Sequence, residues 1–241
     1  MTESVRLAKR VAEVVPCSRR EAEQYIEGGW ILVDGQVIEE AGFRVLPQQI
    51  VERLPHATLA PALPVTILFH KPAGMVIAPE TLQTPVCITA ENCVADDRSG
   101  IRFLRRHLVD LSMTNALDAS ASGLVVFTQD WRIKRKLIED ASRIEQEFII
   151  DVSGDLIPNG LALLNHGLYF NGRPLAPVKV SWQNETRLRF AVKGVQAGQI
   201  DHMCRAVGLT VEAMRRIRIG RMPLSRLPAG QWRYLLGYER F

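Results

Sequence analysis

The sequence lacks several features that would define its class at once. Its 241 residues contain no apolar run near the ~18 residues that a membrane-spanning helix needs, and the N-terminus has no apolar core typical of a secretion signal. The four cysteines and five histidines have none of the paired spacings of zinc or redox motifs. We therefore expect a cytoplasmic protein with reduced thiols, no metal site and no membrane attachment.

The composition itself is that of an ordinary globular protein with a mild positive charge. Apolar residues make up 47% of the chain, charged residues 23%, and the formal net charge is +4. The length is sufficient for one large or two smaller domains with real cores. A charge of this size permits an anionic partner without requiring one, so the distribution of the basic residues must decide.

The first fifty residues predict two short helices followed by a hairpin. Residues 5–15 have mainly helical spacing, and Ser18 with Glu21 forms a capping box that opens a second helix. The dipeptide Asp34-Gly35 then predicts a tight turn between two short strands. Positive charge at the start of the second helix opposes the helix dipole, which suggests an anionic ligand there. The candidate RNA-binding residues are Arg6, Lys9, Arg10, Arg19 and Arg20, although nearby glutamates make a solvated face an equal alternative.

Beyond this module the pattern changes to strands. Residues 53–64 contain Pro55, Pro61 and Pro64 and predict an extended linker. Strands are predicted at 67–70, 124–127, 147–152, 178–182 and 187–192, and helices at 101–108, 131–144 and 199–207. The sum is an α+β protein with a small αα-hairpin module (residues 1–52), a linker (53–64) and a mixed-sheet domain (65–241).

Asp118 is the candidate catalytic residue. It lies among small residues just before the apolar run Leu124-Val125-Val126-Phe127, so its carboxylate would be held rigidly with one edge exposed, as a nucleophile or base requires. The alternative is an ordinary turn aspartate that bonds to its own backbone. Near the C-terminus, closely spaced arginines with few acids favour phosphate contact over a solvated face. The candidates there are Arg215, Arg216, Arg218 and Arg221, expected to face outward.

Two resemblances sharpen these expectations. The run CSRREAEQYIEGGWILVDGQVI resembles the small RNA-binding module named after a small-subunit ribosomal protein, which implies recognition of folded RNA, mostly through phosphates. The rest of the chain resembles the RsuA/RluB/RluF group of RNA pseudouridine synthases. The matching segments are HKPAG at 70–74, LD at 117–118 with SGL at 122–124, QI and MC within 199–204, RIRIG at 216–220 and LPAGQWR at 227–233.

The second resemblance implies a reaction and roles for residues. These enzymes isomerise a uridine within RNA, breaking its N-glycosidic bond and reattaching the base through carbon, with no cofactor. The uridine first leaves its stack and enters a pocket. Asp118 corresponds to the aspartate that starts the chemistry, and Phe148 corresponds to the aromatic residue that packs on the flipped base. The other implied pocket residues are Leu117, Gln199 and Ile200.

The sequence departs from the family pattern at several of these positions. Asn115 and Ala116 replace a Gly-Arg pair, Ala121 replaces Ser or Thr, and Phe148 replaces the usual Tyr. Asp201 occupies the position at which the resemblance predicts the arginine that pairs with the catalytic aspartate. If the two carboxylates approach each other they would favour a shared proton, and a neutral Asp118 would be a poor nucleophile. His202, Arg205 or a C-terminal arginine would then have to provide the cation.

Two functions follow from the sequence. The first is a pseudouridine synthase acting on structured RNA, with ribosomal RNA favoured over transfer RNA. The second is a catalytically inactive paralogue that acts as an RNA-binding or ribosome-assembly scaffold. An RNA methyltransferase is disfavoured because no Gly-rich loop follows a predicted strand. In either case we expect a monomer without a cofactor.

Overall fold

The structure is a computed structural model that describes residues 3–59, 63–77 and 87–241. The chain forms two compact units. The small unit comprises Met1–Pro64 together with Arg102–Val109, and the large unit comprises Val65–Ile101 and Asp110–Phe241. Residues 78–86 of the segment between β6 and the turn at Arg105 lie outside the described residues.

The small unit contains two helices and short strands. Helices α1 (Leu7–Val14) and α2 (Arg19–Glu27) precede a three-stranded antiparallel sheet, in which β2 (Ile31–Val33) pairs with both β3 (Gln36–Ile38) and β5 (Val51–Arg53). A second pair joins β1 (Val5–Arg6) and β4 (Arg44–Val45). The fully buried core side chains include Leu7, Val11, Ile26, Ile31 and Val45. Apolar residues at helical spacing therefore do form the core, as the sequence predicted.

Two local predictions in this unit are confirmed in detail. The Ser18 hydroxyl accepts a hydrogen bond from the Glu21 backbone N–H at 3.3 Å, and the Glu21 carboxylate accepts one from the Ser18 N–H at 2.7 Å. This is the capping box. Asp34 and Gly35 both have positive φ, 50° and 78°, which is the backbone geometry that a two-residue hairpin of this type needs.

A segment from much later in the chain belongs to the small unit. The Arg102 guanidinium donates to the Gly29 carbonyl at 2.6 Å and lies 5.5 Å from the Trp30 ring centroid. Leu104 and His107 are buried. The predicted helix over 101–108 is wrong, since only the 3-10 turn Arg105–Leu108 forms. The residues before that turn are held in an extended conformation by long-range contacts. These contacts outweigh the helix propensity of the segment.

The large unit is built on a nine-stranded mixed sheet. Its main path runs β12-β13-β9-β14-β8-β6-β16, with β15 added to β14 and β7 to β8. The strands are β6 (Thr66–Lys71), β7 (Ser112–Thr114), β8 (Ser122–Thr128), β9 (Glu145–Gly154), β12 (Lys179–Asn184), β13 (Arg187–Lys193), β14 (Leu209–Ile219), β15 (Met222–Pro223) and β16 (Trp232–Tyr234). A separate short hairpin joins β10 (Tyr169–Phe170) and β11 (Arg173–Pro174). The pair β8–β14 is parallel and its neighbours are antiparallel, so the predicted α+β class with a mixed sheet is confirmed.

Three helices pack against this sheet. Helix α3 (Trp131–Ile138) contributes Leu137 to a core with Leu124 and Ile219, whereas α4 (Gly160–Asn165) and α5 (Gln199–Ala206) belong to the core that contains Phe148. The helix predicted at 199–207 is confirmed. The helix predicted at 131–144 ends earlier, because the chain turns through a 3-10 segment, Ala141–Arg143, before β9 begins.

A β-bulge separates two arginines of β14. Arg216 pairs with Phe148 on β9, and Arg218 pairs with the adjacent Glu147, so Ile217 is an extra residue on β14. Successive residues of a strand project to opposite faces, which places Phe148 and Glu147 on opposite sides of the sheet. The bulge therefore sends Arg216 and Arg218, two positions apart, to opposite faces.

Across the ranges that the structure covers, no helix has the length and apolarity needed to cross a membrane. The same residues include no group of three His, Cys, Asp or Glu side chains placed to hold a metal ion.

Candidate active site

The candidate active site is a pocket of about 260 Å³ in the large unit. It lies where the chain before β8, the strands β9 and β14, and the loop 195–198 meet. Its lining includes Asn115, Leu117, Asp118, Phe148, Ile200 and Arg216. Residues far apart in sequence therefore surround one carboxylate.

The Asp118 carboxylate lies against the N-terminus of helix α5. Its Oδ2 accepts a hydrogen bond from the backbone N–H of Gly198 at 3.2 Å, and Gly198 is the residue that caps this helix. A helix N-terminus carries partial positive charge. The carboxylate is thus oriented by a backbone donor and faces positive potential, as an anionic catalytic group requires.

Arg216 provides a buried positive charge beside this carboxylate. Its side chain is 1% exposed, and its Cζ lies 6.0 Å from the Phe148 ring centroid. The guanidinium donates to Leu124 O (2.8 Å), Gln146 Oε1 (3.1 Å), Asn115 O (2.7 Å) and Ala116 O (3.4 Å). Burial lowers the pKa of Arg216 to about 9, and the charge of Asp118 acts in the opposite direction. The expected outward orientation of Arg216 is wrong, because the register of β14 turns it into the pocket.

Lys71 fixes the loop that carries Asp118. Its side chain is buried, and its ammonium donates to three backbone carbonyls, those of Ala121 (2.6 Å), Ala119 (3.0 Å) and Pro72 (3.1 Å). The Gly74 N–H also donates to Ala119 O at 2.8 Å. Burial lowers the pKa of Lys71, the charge of Arg216 lowers it further, and Asp118 opposes both. The sequence segment HKPAG therefore has a structural role that sequence reasoning did not assign.

Gly123 allows β8 to approach β14 closely. It pairs directly with Arg216 in the parallel register and has φ 120°. A Cβ added to Gly123 would lie 2.6 Å from the Arg216 backbone nitrogen, which is closer than real Cβ contacts. Only glycine fits this backbone position without displacing the strand that carries Arg216.

The remaining predicted pocket residues are divided between lining and support. Phe148, Leu117 and Ile200 line the pocket. Gln199 is buried outside the described lining, where its Oε1 accepts a hydrogen bond from the Gln196 N–H at 3.1 Å. Asn115 has φ 49°, so it keeps the left-handed backbone conformation for which glycine is suited and which asparagine tolerates.

Comparisons with known proteins find similarity along the whole chain. The family model of the S4 domain matches residues 5–51. The dual-specificity RNA pseudouridine synthase RluF of Escherichia coli K12 is 28% identical over 98% of this chain and 77% of its own length. An uncharacterized RNA pseudouridine synthase of Aquifex aeolicus is 24% identical over 98% and 94% of the two chains. A crystal structure of a pseudouridylate synthase shares the fold, with a TM-score of 0.59, 20% identity and 96% coverage of both chains.

The chain is similar to RluF-type RNA pseudouridine synthases over nearly its whole length. Its small unit contains the S4 domain, and its large unit carries the motifs by which the sequence resembled this family. The predicted resemblance is therefore confirmed over nearly the whole chain.

Asp201, where the resemblance implied an arginine, is not among the residues that line the described pocket. Asp201 forms an ion pair with Arg205, one helical turn away, at 3.0 Å. His202 is engaged by the Tyr169 carbonyl at 2.9 Å. Among the described residues that line the pocket, Asp118 is the one acid and Arg216 the one cation.

The predicted RNA-binding residues have different environments. In the S4 domain, Arg6, Lys9, Arg19 and Arg20 are exposed, and Arg10 is partly buried and paired with Glu13 at 3.5 Å. In β14 and the following turn, Arg215 and Arg221 are exposed. Arg218 is partly buried and pairs with Glu145 at 2.5 Å and Glu147 at 2.7 Å. Exposed members of this set are available to phosphates, whereas Arg218 already has two carboxylate partners.

Proposed function

We propose that this protein is an RNA pseudouridine synthase that isomerises a specific uridine within structured RNA, without a cofactor. The observation that carries this proposal is the meeting of Asp118, Arg216 and Phe148 in one pocket. A carboxylate, a buried cation and an aromatic face are what a flipped uridine and its isomerisation require.

Each of these residues then has a chemical role. The uridine leaves its base stack and enters the pocket, where the ring of Phe148 packs on the base. The ionised carboxylate of Asp118 starts the reaction, and Arg216 holds a positive charge beside it in surroundings from which water is largely excluded. The bond between N1 of the base and C1′ of the ribose breaks, the base turns, and C5 bonds to C1′. The proton lost from C5 is balanced by one gained at N1, so no other reactant is needed.

The RNA is held by more than the pocket. The exposed cations of the S4 domain are placed to contact phosphates, and recognition of folded RNA by shape is typical of such surfaces. The target is ribosomal RNA rather than transfer RNA, and the protein acts as a monomer in the cytoplasm. The support for ribosomal RNA is the S4 match, since that module is named after a ribosomal protein.

The deciding experiment is pseudouridine mapping in cells that lack the gene. Ribosomal and transfer RNA would be mapped after complementation with wild type, with Asp118→Asn or with Asp201→Asn. We expect one or more sites to be lost on deletion and restored by wild type and by Asp201→Asn, but not by Asp118→Asn. The Asp201 variant is the matched control because it removes an acid of α5 that pairs with Arg205 outside the pocket. A site restored by Asp118→Asn, or no lost site in either RNA, would contradict the proposal.

A further inference from the structure

A second cavity lies in the large unit where β9 begins and β14 ends. Its volume is about 480 Å³. It is lined by Glu145 and Arg218, whereas the Asp118 pocket is lined by Gln146 and Arg216 of the same two strands. Side chains of adjacent strand residues project to opposite faces, so Glu145 and Gln146 lie on different sides of the sheet. The extra residue Ile217 likewise places Arg218 on the face opposite to Arg216. We call this cavity the rear pocket.

The lining of the rear pocket is strongly basic. It brings together five cations from three regions of the chain, namely Lys136, Arg143, Lys193, Arg218 and Arg221, against the carboxylates of Asp140 and Glu145. Like charges drawn from distant parts of the chain repel one another, so such a group is unfavourable unless an anion offsets it.

Several of these cations have weak internal partners or none. Arg218 is held by Glu145 and Glu147, and Arg143 is 84% exposed and 3.9 Å from Asp140. Lys136 donates to the Phe241 carbonyl at 2.6 Å. Lys193 and Arg221 are exposed, and within the described part of the chain neither forms an ion pair. The two cations best placed to meet an external anion are therefore Lys193 and Arg221.

The position of Lys193 relates the rear pocket to the Asp118 pocket. Lys193 is the last residue of β13, and the loop that follows it, residues 195–198, lines the Asp118 pocket. Consecutive residues of one chain segment thus pass from one pocket to the other. This continuity of the chain relates an anion site at Lys193 to the Asp118 pocket.

We propose that the rear pocket binds phosphate groups of the substrate RNA, on the strand that flanks the flipped uridine. This inference rests on the proposed function, because it takes RNA to be the polyanion. The contacts are through charge to phosphate oxygens, so they fix the position of the RNA and do not read its bases.

The test is RNA affinity of the full-length protein at several salt concentrations. The probe is a ribosomal RNA fragment that contains the mapped uridine, and the variant is the double substitution Lys193→Gln with Arg221→Gln. The matched control is Arg173→Gln with Lys179→Gln, which removes the same two charges from exposed positions on β11 and β12 outside the rear pocket. We expect roughly tenfold weaker binding for the pocket variant, and a salt dependence of log K that is shallower by about 2.

One substitution in the rear pocket is expected to increase RNA affinity. Glu145→Gln removes a carboxylate from the rear pocket while Glu147 still holds Arg218. We expect this variant to bind RNA about two- to threefold more tightly. Unchanged or weaker binding would mean that the pocket does not meet the RNA backbone.

Two other outcomes would overturn the proposal. Equal loss of affinity in the pocket variant and the control would show diffuse surface charge and overturn the proposal. Thermal stabilisation by inorganic phosphate that depends on Lys193 and Arg221, with RNA affinity unchanged, would assign the pocket to a small anion and overturn the RNA source. The measurement is independent of turnover, because binding can be compared in the Asp118→Asn background. In the active enzyme we expect a higher KM with unchanged kcat, which separates failure of this site from failure of the proposed reaction.

Discussion

The small unit and the Asp118 pocket place their charged side chains in opposite ways. In the small unit the arginines and lysines lie on the surface, mostly exposed, and alternate with glutamates. Around Asp118, Arg216 in the pocket and Lys71 beneath its loop are each 1% exposed, and the charge of Asp118 acts on both. The surface charges of the small unit come from residues close together in sequence. The buried charges near Asp118 form only when β8, β9 and β14 pair in the correct register.

Exposed and buried cations differ in whether the fold must provide their hydrogen-bond partners. An exposed arginine needs no partner, because water solvates it. A buried one must have its donors satisfied, and Arg216 directs its guanidinium at four acceptors from three segments of the chain. Much of the structure around β8, β9 and β14 can therefore be understood as support for one cation.

The strongest test of the comparison removes the buried cation. Arg216→Gln should lower kcat about 1000-fold, since the loss of one preorganised charged group beside the reacting centre typically has an effect of this size. Arg205→Gln, on the exposed side of α5, should change kcat less than twofold. Turnover of a uridine-containing RNA fragment would be measured, with circular dichroism to confirm folding. Similar effects of the two substitutions would remove the assigned role of Arg216.

The second test changes the backbone that positions this cation. Gly123→Ala should lower the free energy of unfolding by about 3 kcal/mol, because the added Cβ collides with the backbone of Arg216. Gly74→Ala is the control, since Gly74 also has positive φ but its added Cβ would meet nothing within 4 Å. Its cost should be only about 1 kcal/mol. Urea unfolding of both variants gives the difference, and equal costs would contradict the close approach.

The third test uses pH. Since burial lowers the pKa of Arg216 to about 9, its charge is lost as the pH rises through that value, and kcat should fall about tenfold per pH unit above it. The stability of the folded state should instead increase with pH in this range. The folded state releases this proton more readily than the unfolded state, so the contribution of Arg216 to stability rises between pH 9 and the ordinary arginine pKa. A flat kcat profile to pH 10.5 would show that Arg216 keeps its charge and would contradict the lowered pKa.

The smallest effect is expected in the small unit. Ser18→Ala removes one of the two reciprocal bonds of the capping box and should lower the free energy of unfolding by about 1 kcal/mol. Gln24→Ala, at an exposed position in the same helix, should change it by no more than about 0.5 kcal/mol. Thermal unfolding of both variants provides the measurement. A Ser18 effect as small as that of Gln24 would show that the local bonds do not carry the stability of α2.

The sequence allowed prediction wherever neighbours in the chain decide the structure. The Ser18 cap and the Asp34-Gly35 turn depend on four or fewer consecutive residues, and both form as expected. Asp118 and Phe148 could be placed in one pocket only through a family resemblance, because their segments meet across β14. The role of Arg216 was missed because a single extra residue at Ile217 changes the side of the sheet to which each arginine projects. The number and spacing of arginines contain no signal for such a bulge.

The segment Arg102–Val109 has a consequence for protein synthesis. A ribosome adds residues in order, and an N-terminal domain commonly folds while later parts of the chain are still being made. Here the first 64 residues leave the ribosome without the arginine that bonds to Gly29 and covers Trp30. The small unit can therefore be completed only after residue 109 has emerged, when part of the large unit has already been translated.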